Sequence, residues 1–239
     1  MTSTRTTLQR VAVVTGANRG LGRAIVRSLA EQGLRVVLTA REAAVADSAA
    51  AELAAEGLTV SAHQLDVTDP ASVVRVMADT GYHLGRLDVL VNNAAVAIDR
   101  GQPAGSADLE KVRATLDANV AGVWRCCTAA IPEMRKNGYG RVVNVTSHLG
   151  TFARMGTGSP AYRISKTAVN ALTCILAAEL RTENILVNAA SPGMVNTRMA
   201  YGKADQRPED AAGTFVWLAT LPDDGPTGQL FHERQPQPW

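Results

Sequence analysis

Short apolar runs alternate with longer stretches of helical periodicity along most of the chain. Val11–Thr15 is apolar up to its last residue and enters a glycine turn, the pattern of a strand buried on both faces. Leu21, Ile25 and Leu29 then recur at helical spacing and predict a helix over Gly20–Gln32, stopped by Gly33. Arg35–Ala40 predicts a second strand, the alanine-rich Glu42–Glu56 a helix ending at Gly57, and Thr59–Gln64 a third strand. Asp69 followed by Pro70 is a start signal: a side-chain acceptor, then a residue with no N–H to satisfy. It opens a helix over Pro70–Leu84.

The alternation continues downstream. Leu87–Val91 predicts a fourth strand, running into Asn92-Asn93-Ala94-Ala95. Asp108–Asn137 reads as one or two helices with a break around Asn119 to Gly122, and Gly140–Thr146 as a fifth strand. Ser159 as cap and Pro160 at the first helical position open a helix that runs to about Arg181, with Ile164, Ala168, Leu172, Ile175 and Leu176 on one face. Ile185–Ala190 predicts a sixth strand, Pro208–Ala219 a helix, and Thr227–His232 a seventh strand. Strand and helix alternating this regularly imply βαβ units. The expected fold is α/β: a single Rossmann-type, doubly wound parallel sheet of about seven strands with helices on both faces. With no internal repeat, Pro/Ser-rich linker or composition break, residues 1–239 are expected to form a single dinucleotide-binding and catalytic domain, with residues 1–10 as a flexible lead-in.

Composition changes this picture only by exclusion. Hydrophobic residues at 46% supply a core, and charged residues at 19% are too few for a disordered chain. A net charge of +2 and the lack of any long basic run argue against a nucleic-acid binder. No apolar stretch is long enough to span a bilayer, and Met1 to Arg10 lack the apolar core of a signal peptide, so a cytoplasmic location is expected. Cys126, Cys127 and Cys174 have neither metal-ligand nor redox-pair spacing and read as buried thiols; no metal is expected.

The chemistry lies in two patterns. Thr15-Gly16-Ala17-Asn18-Arg19-Gly20-Leu21-Gly22 falls between a predicted strand and a predicted helix, where a glycine turn lets a pyrophosphate approach free N–H groups and a favourable helix dipole. Far downstream, Tyr162 and Lys166 stand one helical turn apart and so share a face. A phenol ordinarily titrates near ~10, and a fixed cation beside it favours the phenolate, which makes a tuned proton donor. At the end of the second predicted strand, where NAD binders carry a carboxylate, this chain has Ala40-Arg41, with Arg19 in the glycine turn. Two guanidinium groups there suit a ribose 2′-phosphate and hence NADPH/NADP+; Glu42 is expected in the first turn of the next helix.

These motifs, with Asn119, Ser147 and Pro192-Gly193-Met194-Val195-Asn196-Thr197, occur in the order of the short-chain dehydrogenase/reductase family, which the chain resembles over nearly its whole length. Within it, Leu38-Thr39-Ala40-Arg41 and Gly225-Pro226-Thr227-Gly228 resemble the NADPH-dependent carbonyl and menthone reductase branch. The resemblance implies that Tyr162 is the general acid that protonates the developing alkoxide as hydride arrives from the nicotinamide. It implies that Lys166 lowers the pKa of that acid and holds the nicotinamide ribose, that Ser147 polarises the carbonyl, and that Asn119 holds a water linking Lys166 to solvent. Asp66 and Val67 are implied to contact adenine, Asn93 and Ala94 to line the adenosine ribose, and Pro192, Gly193, Val195 and Thr197 to cap the carboxamide.

Three departures accompany the resemblance. Ala95 stands where the family usually has glycine, which predicts altered packing near the adenosine ribose. The step from Ser147 to Tyr162 is slightly longer than is commonest, and the Arg198–Arg207 segment is short for a substrate lid. Loops after the fourth, fifth and sixth strands should cover the substrate, with His148, Phe152, Met155, Met194 and Met199 as candidate contacts and Arg154 and Arg198 as charged neighbours. The expected activity is reduction of a ketone or aldehyde of a small organic molecule. A polyketide-type ketoreductase, an alcohol dehydrogenase working in the oxidative direction, and a non-catalytic NADP(H)-binding sensor on the same fold remain as alternatives. Apolar residues on more than one face of the Asp108–Asn137 and Pro160–Arg181 helices predict a homodimer or homotetramer.

Overall fold

The computed structural model describes residues 9–199 and 204–239. The expected lead-in lies almost wholly outside these residues, as does part of the segment between Arg198 and Arg207. The sheet begins with β1 (Val11–Val14), α1 (Gly20–Glu31), β2 (Arg35–Ala40), α2 (Ala43–Ala55), β3 (Val60–Gln64), α3 (Pro70–Leu84) and β4 (Val89–Asn92). It continues with α4 (Leu109–Leu116), α5 (Gly122–Asn137), β5 (Gly140–Val145), α6 (Pro160–Glu179), β6 (Ile185–Ala190), α7 (Pro208–Ala219), β7 (Leu230–His232) and β8 (Gln235–Gln237).

The eight strands lie in the order β3-β2-β1-β4-β5-β6-β7-β8, all parallel except β8. The order reverses between β1 and β4, so the crevice at the carboxyl ends of these strands is where such a sheet binds ligands. Strands β1, β4, β5 and β6 are buried at every position, which is why they read as continuous apolar runs. Helices α1, α2 and α7 cover one face through Ile25, Leu29, Leu53 and Phe215, and α3, α5 and α6 the other through Met77, Met134 and Leu172.

Local start and stop chemistry accounts for several boundaries. Asp69 accepts from the Ala71 N–H at 2.9 Å and Pro70 fills the first helical position of α3. The break expected near Asn119 is a π-helical turn over Asp117–Ala121 joining α4 to α5. One expectation is extended and one is corrected. The sheet has an eighth strand, because Glu233 and Arg234 adopt left-handed backbone and fold the tail back against β7. Ser159 does not cap α6 with its side chain: it stands before the helix in left-handed backbone, φ 51°, and makes no side-chain cap bond.

Candidate active site

The carboxyl ends of β1 and β4 are latched together by side chains. Thr15 Oγ1 accepts from the N–H groups of Asn93 and Ala94, both at 3.0 Å. Asn93 Nδ2 returns two bonds, to the carbonyls of Thr15 and Gly16, both at 2.9 Å. That latch leaves no space at Gly22, where a Cβ would stand 2.5 Å from Asn93 Nδ2 and 2.8 Å from Ala17 Cα. The first turn of α1 then enters the cleft with no acidic residue and no side-chain cap, its N–H groups unclaimed by a side chain.

The cleft they open encloses about 1030 Å³ and runs across the switch point. All seventeen residues expected at a cofactor lie on its wall, from the Gly16–Gly22 turn through Arg41, Asp66 and Asn93 to the Pro192–Thr197 segment. Thr68, Glu42 and Ala95 join them; Glu42 sits at the N-cap position of α2, one residue before the helix rather than inside its first turn. Burial works to raise the Asp66 carboxyl, but bonds from the Thr68 N–H and hydroxyl, with the Arg41 cation, outweigh it and hold it below the usual carboxylate range.

On the far wall, β5 delivers Ser147 and α6 delivers Tyr162 and Lys166. A buried polar ladder fixes helix to strand. Asn92 Nδ2 donates to Asn144 Oδ1 at 2.9 Å, Asn144 Nδ2 to Thr173 Oγ1 at 2.9 Å, and Thr146 Oγ1 to Asn170 Oδ1 at 2.6 Å. Ser147 and Tyr162 both line this wall, near enough for the Ser147 hydroxyl to influence the phenol. Burial pushes the phenol above its ordinary value, with the Ser147 hydroxyl and the Arg100 charge pulling the other way. Lys166 Nζ lies 5.7 Å from the centre of the Tyr162 ring and donates to the Val145 carbonyl, and burial brings its own pKa down to about 8.

Asn119 is fully buried and does not line the cleft. Its amide exchanges two 2.8 Å bonds with the Val96 main chain and donates to Ser165 Oγ at 3.0 Å, so its side chain ties the loop after β4 to α6. Of the candidate substrate contacts, Met194 and Met199 line the cleft; His148, Phe152 and Met155 do not. After Ser147 the chain makes two 3₁₀ turns, His148–Gly150 and Phe152–Arg154, which carry those side chains aside. His148 instead packs edge-on against His232 at 4.5 Å between centroids, and Phe152 is 78% exposed. Ile98 and Arg100, in the loop after β4, take their place at the mouth. Among the described residues no group of three or more His, Cys, Asp or Glu is placed to hold a metal ion, and no helix is long and apolar enough to cross a membrane.

A doubly wound sheet with this cleft and this Ser–Tyr–Lys wall defines a nucleotide-dependent oxidoreductase class, and residues 10–208 match the short chain dehydrogenase family. The chain belongs to that family. Carbonyl reductase (NADPH) 3 of Mus musculus is 36% identical over 276 aligned positions, covering 96% of this chain and 98% of that one. Carbonyl reductase (NADPH) 1 of Sus scrofa is 36% identical over 279 positions, covering 96% and 94%. Both alignments are longer than the 239 residues of this chain, so those relatives carry segments with no counterpart here. A gluconate 5-dehydrogenase from Burkholderia cenocepacia, solved with NADP and tartrate, superposes with a TM-score of 0.86 at 25% identity, covering 93% of this chain and 92% of that one.

Proposed function

We propose that this chain reduces a ketone or aldehyde of a small organic molecule, with NADPH as reductant and Tyr162 as general acid. The observation that carries this reading is the convergence of Ser147, Tyr162 and Lys166 on the wall of a cleft large enough for a dinucleotide. The uncapped first turn of α1 suits the pyrophosphate, and Arg41 with Arg19 suits a 2′-phosphate. Asp66 and Val67 would flank the adenine, Asn93 and Ala94 the adenosine ribose, Tyr162 and Lys166 the nicotinamide ribose, and the Pro192–Thr197 segment the carboxamide.

When bound, the cofactor supplies a hydride to the carbonyl carbon. Ser147 donates to the carbonyl oxygen and orients it, and Tyr162 gives its phenolic proton to that same oxygen. A phenol held above its ordinary pKa remains protonated near neutral pH, which is the state a reduction needs and an oxidation must first undo. Lys166, buried with its ammonium bonded to the Val145 carbonyl, keeps a cation behind the phenol as the alcohol forms. The Asn119 amide is committed to Val96 and Ser165, so a water linking Lys166 to solvent would be held by main-chain groups of the π-turn rather than by that side chain. A sensor without catalysis would have no use for a lysine held at this cost of burial.

Ile98, Met194 and Met199 give the substrate end adaptable apolar walls. The preferred substrates are therefore hydrophobic ketones and aldehydes of several sizes, and small anionic keto acids are poor ones. The test follows NADPH consumption against aliphatic, aromatic, cyclic and β-keto carbonyls, with Tyr162→Phe in parallel. Loss of the acidic proton should cost about 10²–10⁴-fold in turnover and leave NADPH affinity unchanged. A Phe variant keeping more than about half the activity would sink the acid assignment. Activity confined to one anionic compound would replace the apolar pocket with an anchor at Arg198.

A further inference from the structure

The catalytic tyrosine is the third residue of α6, and the first turn of that helix is held by a residue from elsewhere in the chain. Ser159 is left-handed and makes no side-chain cap bond, and Pro160 has no N–H. The next two donors, Ala161 N and Tyr162 N, both point at Oδ2 of Asp99, at 2.6 and 3.3 Å, across separations of 62 and 63 residues. Arg163 N closes the turn on the Ser159 carbonyl at 3.0 Å. Asp99 itself is 0% exposed, and its Oδ1 has no hydrogen-bond partner among the described residues.

We infer that Asp99 is a positioning residue for the reaction, its buried carboxylate fixing the first turn of α6 and with it the Tyr162 phenol. Ordinary capping does not explain the arrangement. A serine or asparagine at the N-cap satisfies the same donors at the surface, whereas a fully buried carboxylate carries a desolvation cost that helix N–H groups and the dipole only partly offset. What the buried carboxylate supplies is rigidity between two walls of the cleft. Asp99 sits in the loop that follows β4, whose near end is clamped at Val96 by Asn119, itself bonded to Ser165 on α6. Loop and helix are thus joined at two points, and Tyr162 lies between them. A displacement of about 1 Å in such a group can cost about 10²-fold in rate.

The inference rests on Tyr162 being the proton donor, so its test carries Tyr162→Phe beside Asp99→Ala and Asp99→Asn. The probe is whichever carbonyl of the panel above the wild type reduces fastest. Single-turnover rate and NADPH affinity are measured for each protein. Asp99→Ala should slow the single turnover about 10- to 100-fold with NADPH affinity unchanged, and Asp99→Asn, which keeps an acceptor in place, should recover most of the loss. A wild-type rate in Asp99→Ala, or an Asp99→Asn protein no faster than Asp99→Ala, overturns the inference. Should Asp99→Ala fail to fold, Asp99→Glu replaces it: the acceptor moves by one methylene, the rate should fall with NADPH affinity intact, and a wild-type rate overturns the inference. If Tyr162→Phe stays active, the acid assignment fails and this inference with it. If Tyr162→Phe is inactive while the Asp99 variants match wild type, only the positioning role fails.

Discussion

Lys166 donates to the main-chain carbonyl of Val145 at 2.8 Å, so in the free protein its ammonium is bonded to strand β5. Burial lowers its pKa to about 8, against about 10.4 in an unfolded chain. Between those values the unfolded chain holds a proton that the native one has released, so stability rises with pH across this window. The buried thiols of Cys126 and Cys127 work oppositely, because burial raises them and the unfolded chain ionises first. Comparison with Lys166→Met isolates the lysine. Urea midpoints at about pH 7.5 and about pH 9.5 should show wild type gaining about 2 kcal/mol relative to the variant.

Cofactor preference should depend on Arg41 and, less strongly, on Arg19. A hydrogen bond to a charged group contributes about 1.5–3 kcal/mol, so Arg41→Ala should weaken NADPH about ten- to a hundredfold and leave NADH nearly unchanged. Fluorescence titration with both cofactors checks this. A wild type that prefers NADH would hand the ribose to Glu42, which lines the same part of the cleft.

Two glycines separate packing from backbone strain. Gly33 has φ of 86° with nothing within 4 Å of a would-be Cβ, so Gly33→Ala should cost about 1–2 kcal/mol and leave NADPH affinity intact. At Gly22 the added carbon meets the backbone of Ala17 and Gly16 as well as Asn93, so the latch itself must move. Gly22→Ala should weaken NADPH at least about tenfold, alongside an overpacking cost of about 1–3 kcal/mol. Isothermal titration and thermal melts on both proteins distinguish the two effects.

We expect self-association through the helix faces. Val123 and Leu172 are buried against the sheet, while Trp124, Ile164 and Ile175 on the same two helices are about half exposed. A second copy covering that apolar surface would give a homodimer or homotetramer. Light scattering at micromolar concentration should return a multiple of the 25.2 kDa chain mass, and a monomer mass would contradict the expectation.

Periodicity located the helices and strands of the sheet because the central strands are buried on both faces and the helices on one; the apolar pattern follows directly from those geometries. The start of α3 was legible because Asp69 and Pro70 act locally. Asp99 was not, since a cap delivered from 62 residues away leaves no mark in the spacing around Ser159. The course of the loop after Ser147 was hidden for a related reason. His148, Phe152 and Met155 are close to the site in sequence, but short 3₁₀ turns decide their direction and have no apolar period to reveal it. Strand β8 escaped because Gln235-Pro236-Gln237 has no β-forming residue; its place is set by the left-handed turn before it.

That last strand changes what the sheet presents to other molecules. Pro236 stands opposite Phe231 in the antiparallel pair, and a proline offers no N–H to a further strand. Without the hairpin, β7 would expose the open row of amides and carbonyls of a parallel sheet, a template for uncontrolled strand addition. With it, that margin ends on a short, polar, proline-bearing strand. The β7–β8 hairpin thus serves as a selvedge: it finishes the β7 side of the sheet with a strand poorly suited to further backbone pairing.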